Sequence, residues 1–393
     1  MTEAVIVDAV RSPVGRGKAT GALASVHPAD LLAQVFRALV ERTGIDPGEV
    51  DDVLVGCVGQ NGEQSATVGR QAWLAAGYPV EVPSVTIERK CGSGQQAVDF
   101  AVQGVLAGAY DMAIAAGVES MSRVPMGSAR MGADPFGDGV RARFGELVPQ
   151  GVSAELVAQR WSLSRGQLDE YSASSHVRAA AAAAAGGFQD EIVPIQVAGG
   201  GVVTADETIR PATTPAALSA LRPAFATDPY TQRFPDIDWK ITAGNSSQIS
   251  DGASALLIMS EQRAARLSLR PRARLMATAL AGDDPLLMLT GPIPATRKVL
   301  AKSSLLADAM DAVEVNEAFA PVPLAWNAEF HIDPARLNPR GGAIALGHPL
   351  GASGCRLMTT LLHHLEQTGG RYGLQTMCEA GGMANAAILE RLG

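Results

Sequence analysis

The chain has 393 residues, 47% hydrophobic and 18% charged, with a net charge of −8. That length exceeds one ordinary core, so two or three domains or one large duplicated unit is expected. The composition excludes a disordered chain, and the acidic balance argues against a nucleic-acid or anionic-membrane partner, leaving room for a local basic patch facing a small phosphorylated ligand.

From the N-terminus, AVIVDAV reads as a strand, HPADLLAQVFRALVERTG as a helix, DDVLVGCV as a strand, GQQAVDFAVQGVLAG as a helix and DMAIAAG as a strand. The later part continues with strands SALLIMS and AVEVNEAF, helix ASGCRLMTTLLHHLEQTG and strand QTMCEAGG. This alternation predicts an α/β fold with largely parallel sheets. CGSGQQAVDFAVQGVLAGAYDMAIAAG is echoed by GASGCRLMTTLLHHLEQTGGRYGLQTMCEAGG, and VLVGCVGQ by VEVNEAFA, so two related halves are expected. Between them, ESMSRVPMGSARMGADPFGDGVRARFG lacks periodicity, as functional long loops do. In SRGQLDEYSASSHVRAAAAAAAGG, Ser164 and Gln167 have capping-box spacing. The alanines and closing glycines then predict a helix pressed close against its neighbours. No signal peptide, membrane span or peroxisomal C-terminus is expected, which points to a cytoplasmic enzyme.

The four cysteines form no close CxxC pair, which argues against a zinc ribbon or redox dithiol. Cys57 and Cys355 read as small buried hydrophobes. Cys91 lies between a strand and a helix, where unpaired N–H groups and the helix dipole favour thiolate. Asn316 and Glu317 end a strand, where α/β sheets build sites; they read equally as a loop cap. His348 sits in GGAIALGHPLGASG, an imidazole able to act as base or oxyanion donor. Cys378 ends a strand among small residues and could move a proton. His27 and His331 fall in loops and His176 on the alanine-rich helix, while His363 and His364 lie near a helix end that welcomes a cation. No metal-ligand spacing occurs.

With AVIVDAVRSPVGR, AGVESMSRVPM, TAGNSSQISDGA, VNEAFA, GGAIALGHPLGASG and CEAGGMANA in this order, the whole chain resembles the thiolase family of 3-ketoacyl-CoA thiolases and acetyl-CoA acetyltransferases. The resemblance implies a five-layered α/β/α/β/α fold of two similar βαβαβαββ halves with an inserted loop domain. The halves would be residues 1–118 with 250–272, and 273–393, and the CoA-binding loop domain 119–249. It implies Cys91 as the acylated nucleophile, His348 as its base, Cys378 as the acid or base at the departing acetyl-CoA, and Asn316, through a water, as partner of His348 in one oxyanion hole. The backbone N–H groups of Cys91 and Ala380 would form the second. Ser247 would bond the pantetheine arm and Arg222 the nucleotide end, with Gln150, Met288 and Phe319 among the substrate contacts. Coenzyme A would be a co-substrate, no cofactor or metal would be permanently bound, and the assembly would be a homodimer or homotetramer. The glycines around His348 would clear room for the thiol of Cys91 and the thioester.

Several positions depart from the common family pattern: Glu88 for an asparagine, Ala380 for a glycine, Pro149-Gln150-Gly151 for His-Met-Gly, and Met288-Leu289-Thr290-Gly291-Pro292 for M-G-x-G-P. With CEAGGMANA they resemble the branch acting on bulky CoA thioesters, steroid-derived ones included. The expected reaction is therefore degradative thiolysis. Biosynthetic condensation of two acetyl-CoA is the alternative, and an inactive thiolase-fold binding protein a more distant one. A decarboxylating ketoacyl synthase is disfavoured by Cys378 and NEAFA.

Overall fold

The computed structural model describes residues 3–393. In the first half, strands β1 (Ala4–Arg11), β2 (Asp52–Gly56), β3 (Ser84–Ile87) and β4 (Met112–Ser120) alternate with helices α1 (Pro28–Thr43), α2 (Val68–Ala75) and α3 (Ser93–Leu106). After a long excursion that carries α4 (Gln150–Arg160) and α5 (Arg165–Ala184), strand β5 (Ser250–Ser260) closes the half. The second half runs β6 (Ala273–Gly282), α6 (Pro292–Ser303), β7 (Ala312–Val315), α7 (Pro321–Phe330), α8 (Leu350–Thr368), β8 (Tyr372–Glu379) and β9 (Met383–Arg391).

The strand order is β7-β8-β9-β6-β1-β5-β4-β2-β3. In the first half β2 is parallel to β3 and β4, while β5 is antiparallel to β4 and β1. In the second half β7 is parallel to β8, while β9 is antiparallel to β8 and β6. A parallel bridge between Val313 and Leu337 occupies the place of β3. The halves meet edge to edge at the single pair Ile6 and Ala273.

Period-2 alternation sends successive strand residues to opposite faces. Val5 and Val7 pack with Phe36 of α1 and Trp73 of α2. Ile6 points the other way, into a core shared by Val98 and Val102 of α3, Met358 and Leu362 of α8, and Leu389 of β9. On the far side, Ile388 packs with Val299 of α6 and Trp326 of α7. The layers are therefore α1/α2, first-half strands, α3/α8, second-half strands and α6/α7, which is the expected five-layered body.

The two central helices meet at their first turns, backbone against backbone. A methyl on Gly94 would come within 2.6 Å of the Gly351 carbonyl, and one on Gly354 would strike the Gln95 N–H. Since neither backbone can yield as a side chain would, Gly354→Ala is expected to destabilise the fold by about 3 kcal/mol, the upper end of ordinary overpacking. Urea unfolding checks this.

The other glycines around His348 abut protein as well. Gly341 lies on Ser175 and Ala179 of α5, Gly342 on the Glu317 carboxyl, Gly347 on Ser250, and Gly351 on Gly56 and Cys57. This corrects the expectation that they clear room for thiol and thioester: they let four neighbouring segments close on the histidine loop.

Helix α5 has the expected capping box, with Ser164 and Gln167 bonding each other's backbone N–H. Close packing of its alanine run is only partly observed. Ala179 is buried, whereas Ala181, Ala183 and Ala184 are exposed. His176 on this helix is buried, and its Nδ1 accepts from the Arg210 N–H at 3.1 Å. Among the described residues, no helix is long and apolar enough to cross a membrane.

Candidate active site

The polypeptide enters α3 through a tight turn. Lys90 takes a left-handed φ of 47°, the Gly92 N–H donates to the Arg89 carbonyl at 3.0 Å, and the Ser93 hydroxyl donates to the Lys90 carbonyl at 2.6 Å. Cys91 sits at the crest, 4% exposed. Burial is the main cause holding its thiol up to about 12, and nearby Glu379 adds to it. The helix terminus alone predicted thiolate; here desolvation wins, because the thiol is out of water and has a carboxyl for a neighbour. Cys91 is therefore a thiol at neutral pH and needs a base.

His348 lies two residues before α8, whose first turn touches that of α3. Its backbone N–H donates to the Gln248 carbonyl at 3.0 Å and to the Ser250 hydroxyl at 3.1 Å. The ring is fixed from both sides. The Ser353 hydroxyl donates to the Pro349 carbonyl at 2.8 Å, so its oxygen is left to accept from His348 Nδ1–H at 2.6 Å. Nε2 then carries the lone pair, and Asn316 Nδ2 donates to it at 3.3 Å. Burial, followed by the charge of Arg356, pushes the imidazole down to about 3. It is thus a neutral ring with an available acceptor, the form a general base requires.

Asn316 follows β7, and its N–H donates to the Thr376 carbonyl of β8 at 3.0 Å. Its Oδ1 is buried without a partner, which suits an ordered water or a ligand donor. Cys378 is two positions further along β8, 1% exposed. Its thiol is pushed well above the usual range by burial, then by Cys91 and Glu379. Ala380 is half-buried and opens the turn between β8 and β9, where Gly381 and Gly382 take positive φ.

Of the remaining candidates, Met288, Phe319 and Cys378 share one core cluster, with Phe225 and Ala380 packed against it. Phe225 meets Phe319 edge to face at 6.2 Å, and its ring fills the space a side chain at Gly151 would need, next to the half-buried Gln150. Ser247 is half-buried and anchored through its N–H to the Ala318 carbonyl at 2.9 Å. Arg222 is exposed on the excursion between β4 and β5. The expected residues thus gather around the β7 and β8 ends, with Arg222 apart on the surface.

Residues 4–262 match the family model described as "Thiolase, N-terminal domain", and residues 269–391 match "Thiolase, C-terminal domain". The chain belongs to the thiolase family. As a thiolase it is an acyltransferase. It is 48% identical to the steroid 3-ketoacyl-CoA thiolase of Mycobacterium tuberculosis, over 100% of this chain and 95% of the relative. It is 42% identical to the acetyl-CoA acetyltransferase of Paracoccus denitrificans, over 100% of each chain. The crystal structure of the Bacillus anthracis acetyl-CoA acetyltransferase superposes with a TM-score of 0.89 at 35% identity, covering 100% of this chain and 99% of the other.

The residues that tune this thiolase site were harder to read. Ser353 lay inside the quoted glycine motif, and its spacing of four from Pro349 was the signal for a helical hydroxyl bonded back to a carbonyl. Glu317, read as a possible loop cap, is fully buried and accepts from the Tyr171 hydroxyl at 2.8 Å, the Ser175 hydroxyl at 2.7 Å and the Ile344 N–H at 3.1 Å. It ties the histidine loop to α5.

His363 and His364 are corrected. Both lie inside α8, and burial is the main cause that lowers each ring's pKa, His364 to about 4. They bond Arg272 and Arg340 as neutral rings rather than serving as cations. Cys57 and Cys355 are buried, with thiols pushed up by burial, as expected for small core residues.

Proposed function

We propose that this thiolase cleaves a 3-ketoacyl-CoA with coenzyme A, giving acetyl-CoA or propionyl-CoA and a shortened acyl-CoA through an acyl-Cys91 intermediate with ping-pong kinetics. The observation that carries the reading is a buried thiol at Cys91 on the turn into α3, whose first turn touches that of α8, together with a buried His348 just before α8 whose Nδ1 is bonded to Ser353, leaving Nε2 as the acceptor.

Cys91 gives its proton to His348 Nε2 as sulfur bonds the keto carbon. The N–H groups of Cys91 and Ala380 take the developing oxyanion. The bond between the α- and β-carbons then breaks, its electron pair forming the thioester enolate, whose oxygen is met by His348 and by a water on Asn316. Cys378 donates its proton to the enolate carbon, and acetyl-CoA leaves. The proton on His348 restores Cys378, and the free imidazole then takes the proton of the incoming CoA thiol, which attacks acyl-Cys91. Collapse returns that proton to the Cys91 sulfur. Splitting the reaction through a thioester gives two easier steps.

Ser247 binds the pantetheine arm and Arg222 the nucleotide end, within a loop domain of residues 119–249. Gln150, Met288 and Phe319 border the acyl group. Coenzyme A is a co-substrate and no cofactor is permanently bound. The enzyme works in the cytoplasm as a homodimer or homotetramer; the assembly, though not the compartment, is supported by the exposed apolar side chains of Met126 and Met131 on the excursion, 60% and 90% exposed.

A bulky, ring-bearing acyl group is supported by the 48% identity to the steroid 3-ketoacyl-CoA thiolase. The expected result is a kcat/KM at least about tenfold higher on ring-bearing or long-chain 3-ketoacyl-CoA than on acetoacetyl-CoA, the discrimination an apolar pocket provides. A clear preference for acetoacetyl-CoA overturns this specificity and favours the condensing direction, for which the Paracoccus relative is named.

A further inference from the structure

Behind the Cys91 turn lies a carboxyl that the mechanism does not use. Glu379 immediately follows Cys378, but alternation along β8 sends its side chain toward α3. Its carboxyl fills the space a side chain at Gly92 would occupy, together with Asn385. Asn385 Nδ2 donates to the Gly92 carbonyl at 3.1 Å, while both Glu379 oxygens are buried without a partner. Glu379 is fully buried. An ionised carboxylate in such a place is costly unless paired, and the neutral acid is favoured.

We propose that Glu379 is a positioning residue for this thiolase chemistry: its buried carboxyl must be neutral for the two thiols to react, so it sets the alkaline limit of Cys91 acylation. The inference rests on the reading of Cys91 as nucleophile.

Every charged group facing Glu379 bears on its sign. Arg89, in the turn before α3, favours the carboxylate; Asp99 of α3 and Glu88 oppose it. Burial outweighs these and holds Glu379 up to about 8. Asp99 is itself held at about 8 by burial, with Arg89 and Lys302 of α6 pulling the other way. On Cys91, Lys90 favours thiolate, while Glu379 and Glu119 oppose it. Cys378 is opposed by Glu379 too. When Glu379 loses its proton, a negative charge appears beside both sulfurs, and each thiolate that the cycle must form becomes more costly. The wild-type enzyme should then acylate well below the Glu379 titration and progressively worse above it.

Glu379→Gln keeps the shape and removes the charge. The test is the rate of Cys91 acylation by an acyl-CoA, followed by mass spectrometry of the whole chain from about pH 7 to about pH 9.5. In the wild type the rate should fall about tenfold per pH unit above the midpoint; in Glu379→Gln it should stay flat within about twofold. A purely structural role would lower the rate of Glu379→Gln by the same factor at every pH and leave its profile parallel to that of the wild type. Superimposable profiles overturn the proposal. If Glu379→Gln does not fold, Glu379→Asp is compared with the wild type. It retracts the carboxyl from Gly92 and should move the alkaline fall, and an unmoved profile overturns the proposal. If the wild type never acylates at Cys91 at any pH, the nucleophile assignment fails, and the proposal with it.

Discussion

Replacing Cys91 with serine should lower turnover by about four orders of magnitude or more, as loss of a covalent nucleophile does elsewhere. Serine matches cysteine in shape, and the site is closed, so the body should stay folded, with Tm within about 2 °C of wild type. The loss comes from chemistry. An alcohol is far harder to deprotonate than a thiol, and this thiol already needs help, since burial holds it in its protonated form. Steady-state kinetics measures the loss. Mass spectrometry after exposure to an acyl-CoA should show one acyl group on the wild type and none on Cys91→Ser. A variant that keeps substantial turnover, or a wild type acylated elsewhere, would sink the assignment.

The second large effect is at His348. His348→Ala removes the Nε2 acceptor and should lower kcat by about three to four orders of magnitude, the upper range for general-base catalysis. The environment sharpens this expectation. Ser353 fixes the tautomer from one side and Asn316 meets the working nitrogen from the other. Neither offers a carboxylate or an imidazole to replace the lost ring. The variant should fold, because the loop is also held by the backbone bonds of residue 348 to Gln248 and Ser250. Circular dichroism checks the fold, and alkylation of Cys91 by iodoacetamide, slowed in step with kcat, would show that the ring acts on the sulfur.

The major elements were legible where period and burial agree. AVIVDAV and DMAIAAG are buried on both faces and read as continuous apolar strands. α1 declares itself by its proline start and its left-handed Gly44 stop. β6 and β9 were not read, because ARLMATALAG and MANAAILER are rich in alanine, a weak strand former; their pairing decides them. At the site, motif order singled out Cys91, Asn316, His348 and Cys378 as the candidates. The protonation states were not legible, because a charge outlined by a helix end in sequence can be reversed by burial in space. Cys91, His363 and His364 all fail in that direction, each held neutral by a desolvation that no local pattern records.

The internal repeat bears on how many reaction centres the chain can hold. Superimposing the echoed motifs sets Gly94 on Gly354, and the strand registers set Gly56 on Asn316 and Val118 on Cys378. By the same alignment Cys91 corresponds to Gly351, and His348 to Glu88. The scaffold thus offers two locations made equivalent by the repeat. One has a thiol, an imidazole, an amide and a second thiol. The other has glycine, glutamate, glycine and valine, and is closed by the very backbone contacts that let the helices cross. Symmetry of architecture and asymmetry of chemistry coexist in one polypeptide: one repeat carries Cys91, and the other carries Asn316, His348 and Cys378.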